Sequence, residues 1–126
     1  MMELVPLKSL RPHERTDAKR GAKLKMRILH DRHLKMPILV DGKTLVILDG
    51  HHRVECLKSL GCKFVPAMLV DYGSKEITVA GRRRGVEISK EKILDAGAKG
   101  KPFPPKSSRH TYARYPQERI QLSSLK

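Results

Sequence analysis

The sequence has no tryptophan, only five phenylalanine and tyrosine residues, and two cysteines in 126 positions. So few aromatic rings predict an aliphatic core and offer little of the stacking platform that single-stranded nucleic acids use. Cys56 and Cys62 form neither a C-x-x-C pair nor part of a four-ligand Cys/His spacing, which argues against structural zinc and a disulfide scaffold. Cys56 falls within a helical apolar pattern and is expected in the core. No apolar run approaches the roughly 18 residues of a membrane span, and the opening MMELVPLKSLRPHE lacks the apolar stretch of a secretory signal. A soluble, cytoplasmic protein with no membrane partner is expected. Acidic residues are also scarce: 13 stand against 27 Lys and Arg, for a net charge of +14. That excess attracts polyanions such as nucleic acid or phosphorylated small molecules, although Lys and Arg also simply solubilise a surface.

What is present fits one α+β domain spanning residues 1–126. ELVPLKSL reads as a short strand and turn, closed by RPHE. Ala18, Ala22, Met26 and Leu29 step by three or four residues, which predicts a helix from Asp17 to His33 with that face apolar. Its opposite face is cationic, since ten Lys or Arg lie between Lys8 and Lys35 against three acidic residues. MPILVDGKTLVIL gives two β-rich runs around Asp41-Gly42, a hairpin signal. A helix follows from Gly50 to Leu60, with Val54, Leu57 and Leu60 on its apolar side and Gly61 as its C-terminal stop. KFVPAMLVDY is a further strand, which Pro66 places at an edge or near a bulge. EITVAG is the next strand, and Ser89 N-caps a short helix through Asp95-Ala96. After Gly97, residues 98–126 read as a basic, Pro-rich loop and tail.

The densest chemistry lies in VILDGHHRVECLKSLG, where a strand becomes a helix. A metal held by His51 and His52 is disfavoured, because adjacent residues point about 100° apart on a helix and ligand pairs want i, i+4 spacing. An anion fits better. The first helical turn has four unpaired N–H groups and a positive dipole end, Gly50 lets a ligand approach, and His51, His52 and Arg53 add donors. The bland alternative is that Asp49 caps the helix while the His-His-Arg triplet is solvated. Neither G-x-x-x-x-G-K-(S/T) nor G-x-G-x-x-G is present, so a phosphate cradle would have to be this turn.

With VPLKSLRPHE, VDGKTLVILDGHHR, VPAMLVDY and the later GKPFPPKSSRH on the page, the sequence resembles the ParB/sulfiredoxin fold and, within it, the free L-serine kinases. It departs from sulfiredoxins, which carry a nucleophilic cysteine where His51 stands. It departs also from chromosome-partitioning ParB proteins, whose turn is arginine-rich and precedes a helix-turn-helix domain. The resemblance implies a small mixed sheet with flanking helices and transfer of a phosphoryl group from ATP or ADP to the hydroxyl of L-serine. It implies Glu14 of RPHE as general base, Gly50, His51, His52 and Arg53 around the nucleotide phosphates, and Asp49 as a catalytic residue and Mg²⁺ ligand. Lys106, Ser107, Ser108, Arg109 and His110 would bind serine, Arg109 gripping its carboxylate. By composition alone Glu14 reads as a surface carboxylate, KSSRH as a flexible basic segment, and Arg82-Arg83-Arg84 as a solvated run outside the site. The rival function is a ParB-like, nucleotide-dependent DNA-binding module without kinase activity.

Overall fold

The computed structural model describes residues 2–126. A four-stranded sheet is built from β1 (Met2–Pro6), β3 (Ile38–Asp41), β4 (Ile47–Asp49) and β5 (Phe64–Val70), in the order β1-β5-β3-β4. β1 runs antiparallel to β5, β3 parallel to β5, and β4 antiparallel to β3. Every residue of β3 is buried, as a strand covered on both faces requires. Ile38 and Val40 join one apolar cluster with Val5, Ile47, Val54 and Leu57, while Leu39 joins a second with Val46, Leu48, Tyr72 and Ile93.

On the first face pack α1 (Ala18–Asp31) and α2 (His51–Ser59). On the second lies α3 (Lys90–Lys99), beside the pair of β6 (Ile77–Gly81) and β7 (Ser108–Tyr112). A short pair of β2 (His33–Leu34) and β8 (Ile120–Gln121) closes one end. No helix among the described residues is long and apolar enough to cross a membrane.

Several sequence expectations need correction. β5 is interior, not an edge. Pro66 is tolerated because it stands opposite Leu4 while the pairing with β3 begins only at Ala67, so its missing N–H falls where that ladder starts. The Asp41-Gly42 hairpin exists, but its turn extends to Leu45. Asp41 organises that turn, accepting from the Thr44 hydroxyl at 2.7 Å and from the Thr44 and Tyr72 amides. In α1 the buried residue is Ile28, and Met26 and Leu29 are exposed. The inward stripe is Gly21, Leu24 and Ile28, set by close approach to α2, where the Cys56 thiol meets the Gly21 carbonyl at 3.3 Å. Cys56 is buried as expected.

Gly61 follows α2 with a φ of +77°, the left-handed stop predicted for it. Ser89 caps α3 through the Lys92 amide, yet the helix passes Gly97 and ends at Gly100. Gly97 is a packing residue, because a Cβ there would lie 2.6 Å from Val46 Cγ2. The stretch 98–126 is more than loop and tail: it contributes the end of α3, β7, β8 and a closing 3₁₀ turn (Leu122–Leu125).

Candidate functional site

The strand-to-helix junction is made by one residue that can be nothing but glycine. Gly50 has a φ of +109°, and a Cβ would lie 2.4 Å from Ile38 Cγ2. No side chain caps α2, and the residue before Gly50, Asp49, is not turned onto the helix amides. Instead the half-exposed Asp49 carboxylate pairs with Arg53 Nη2 at 3.3 Å. The first-turn N–H groups thus open onto a cavity of about 230 Å³ lined by Glu14, Arg20, Asp49, Arg82 and Ser108, besides Gly50 to Arg53 themselves.

The side chains of the triplet hold the walls together. His51 is buried and its Nε2 accepts the His13 amide at 3.1 Å, so the ring is neutral with its proton on Nδ1. Burial, followed by the neighbouring histidines, holds it well below the ordinary histidine range. His52 accepts the Asp17 amide at 2.9 Å. Arg53 donates to the Met36 and Pro37 carbonyls at 3.0 and 2.7 Å and to the Tyr115 hydroxyl at 2.9 Å. Each side chain ties α2 to a different segment, which leaves the backbone amides of the turn facing the cavity.

Glu14 meets the distant PPKSSRH stretch here. The segments dock through a bridge between Glu14 and Phe103, with the Arg15 amide on the Phe103 carbonyl and the Phe103 amide on the His13 carbonyl. Glu14 Oε1 accepts from the Ser107 amide at 3.1 Å and the Ser108 amide at 3.0 Å, and the Ser108 hydroxyl lies 3.1 Å from the same oxygen. All three contacts fall on Oε1 and none on Oε2. Glu14 also borders a second cavity of about 380 Å³, with Pro12, Arg15, Thr16, Glu55 and Lys58. The carboxylate therefore stands between two spaces that share it and His51.

Of the remaining candidates, Ser107 is buried and its hydroxyl donates to the Pro104 carbonyl. His110 accepts from or donates to the Tyr72 hydroxyl at 2.8 Å, and burial, then His13 and Lys90, pushes it down to about 3. Arg109 is exposed on the face of β7 opposite Ser108 and His110, as strand alternation demands, and lines neither cavity. Lys106 is exposed with a φ of +59° and lines neither cavity. Arg82, read from the sequence as lying outside, lines the cavity of about 230 Å³, and its amide donates to the Ser107 carbonyl at 3.0 Å. Arg83 clamps the Pro105 carbonyl with two donors. His13, fully buried, was not anticipated either, although it sits between Pro12 and Glu14 in the motif.

Among the described residues no group of three or more His, Cys, Asp or Glu is arranged to hold a metal ion unaided. A lone carboxylate such as Asp49 fits only an ion that shares its other ligands with phosphates and water, as Mg²⁺ commonly does.

No family model matches the chain. A ParB-like protein of Sulfolobus acidocaldarius is 40% identical over 78 residues, covering 62% of this chain and 39% of that protein. An ATP-dependent L-serine kinase of Staphylothermus marinus is 33% identical over 97 residues, covering 73% of this chain and 38% of the kinase. A free serine kinase solved in complex with AMP superposes with a TM-score of 0.85 at 16% identity, over 99% of this chain and 93% of that one. The chain has the fold of the free serine kinases and is similar in sequence to an L-serine kinase and a ParB-like protein. It spans about two-fifths of the length of the curated relatives it matches. Within that family fold, the turn after β4 and the RPHE and KSSRH segments lie around one cavity.

Proposed function

We propose that the chain is a nucleotide-dependent L-serine kinase, moving a phosphoryl group from ATP or ADP to the serine hydroxyl to give O-phospho-L-serine. The observation that carries this reading is the convergence of an uncapped helix N-terminus and the Glu14 carboxylate on one cavity. Phosphoryl transfer asks a protein chiefly for alignment and charge neutralisation. The amides opening α2 bind phosphate oxygens, and Arg20 and Arg82 offset their charge. Asp49 would hold Mg²⁺, which would supply further neutralisation. Glu14 Oε2 receives the proton of the serine hydroxyl as it attacks, while the two amides on Oε1 keep the carboxylate aimed. The adjoining cavity offers Arg15 and Lys58 to a carboxylate and Glu55 to an ammonium, the complement of an amino acid. Ser108, at the boundary, is the member of the KSSRH stretch best placed to meet substrate.

The test is turnover. Protein incubated with L-serine, Mg²⁺ and ATP or ADP should release O-phosphoserine, and nucleotide hydrolysis without serine should be slow by comparison. Nucleotide binding without any phosphoserine would leave a nucleotide-dependent module, not a kinase.

A second reading has its own support. Arg20, Lys23 and Arg27 share one face of α1 and are absent from the ion pairs among the described residues. That strip is suited to a nucleic-acid backbone, and its signature would be salt-sensitive retention of duplex DNA.

A further inference from the structure

His13 is fully buried beside Glu14 yet has no part in the chemistry above. Its Nδ1 meets the Ile47 carbonyl, which can only accept, so that nitrogen carries the ring proton. Burial holds the ring below the ordinary histidine range, more than the Ile47 carbonyl, Glu14 and Asp49 raise it. The neutral ring therefore presents Nε2 as a bare acceptor. Ser108 Oγ stands 2.9 Å from Nε2 and 3.1 Å from Glu14 Oε1. One hydroxyl has one proton, and both neighbours want it. Glu14 Oε1 already receives two amide protons, and its carboxylate borders two open cavities. Nε2 is enclosed, and leaving a buried acceptor unpaired costs more than omitting a third bond to a solvent-reached carboxylate.

We propose, resting on the serine-kinase reading, that His13 is a positioning residue: it takes the Ser108 hydroxyl proton, so that Glu14 is aimed by two amides alone and meets no third donor. A third donor on the ionised carboxylate would favour its charged form and weaken it as a base. Other titratable and charged groups around the pair are Asp49 on β4, His51 and His52 on α2, His110 on β7, Arg20 on α1 and Arg82 after β6. Arg15, Glu55 and Lys58 face Glu14 from the second cavity. None of these is altered in the test.

The experiment compares pH–rate profiles of phosphoserine formation for the parent, His13→Leu, His13→Gln, Ser108→Ala and the His13→Leu/Ser108→Ala double variant. In His13→Leu the hydroxyl has only Glu14 to turn to. Its acid limb should move down by about half a pH unit and kcat should fall about two- to threefold, with KM for serine within a few-fold. His13→Gln retains an acceptor and should keep the parental limb, as should the double variant, which lacks the hydroxyl. Ser108→Ala should also leave the limb in place. An upward shift in Ser108→Ala, or an unmoved limb in His13→Leu, would assign the proton to Glu14 and overturn the proposal. Carbon-13 NMR titration of the Glu14 carboxyl in the same proteins, without substrate, reads the same shifts and covers any variant that folds but turns over too slowly. If the parent makes no phosphoserine, the kinase reading fails while this titration still decides who holds the hydroxyl proton.

Discussion

Glu14 and Gly50 make the sharpest residue-scale demands. Replacing Glu14 by Gln keeps the two amide contacts to Oε1 but removes the base, so phosphoserine formation should drop by about 10²–10⁴-fold with nucleotide affinity within a few-fold. Unchanged turnover in a steady-state assay would discard Glu14 as the base. Gly50→Ala is a different failure. Its Cβ would collide with Ile38 at 2.4 Å in a backbone conformation that side chains disfavour, so a loss of about 2–4 kcal/mol in urea unfolding is expected together with weakened nucleotide binding. A variant as stable as the parent would mean that the junction rearranges easily. Both residues could be singled out from the sequence, Gly50 by the turn it must make and Glu14 only by resemblance. His13 and Arg82 could not, because burial under a distant segment and a place at a cavity wall leave no local pattern.

At the scale of elements, α3 packs on the sheet because Gly97 admits Val46. Gly97→Ala gains about 1 kcal/mol of helix propensity but sets a methyl 2.6 Å from Val46 Cγ2, and the collision should win, giving a net loss of about 1–3 kcal/mol by urea titration. Adding Val46→Ala should recover part of that loss, whereas additive losses would place the clash elsewhere. Strong local signals in the sequence specify α2, β3, β4 and the Ser89 cap. The apolar face of α1 differs from the Ala and Met spacing because Leu24 and Ile28, not Met26 and Leu29, pack into the core. β7 was missed because SSRHT is polar and its partner β6 lies some thirty residues earlier, so its pairing is a tertiary event that composition does not report.

Across the whole molecule, two long-range properties follow. His51, His13 and His110 stack in series, with ring centroids 4.5 and 5.7 Å apart on either side of His13, and all three are held below their ordinary range chiefly by burial. Above about pH 6.5 both folded and unfolded chains keep them neutral, so they add no pH dependence. As the pH falls below that value the unfolded chain binds protons that the folded one refuses, and stability is lost, for His110 down to about 3. Urea midpoints should therefore decline with acidification by up to about 1.4 kcal/mol per pH unit for each histidine, and His110→Gln should flatten that decline. An unaltered slope would mean that carboxylates alone set it. The second property is charge: at +14, duplex DNA retention, if present, should weaken steeply with salt, while phosphoserine formation should respond far less.

The central claim is that the backbone amides opening α2 hold the phosphates of a nucleotide. Amide chemical shifts followed by nitrogen-15 NMR while ADP or ATP is titrated in test it most directly. The largest changes should fall at Gly50, His51, His52 and Arg53, with smaller ones at Ser107 and Ser108. Saturable nucleotide binding that leaves those four amides unmoved would contradict it.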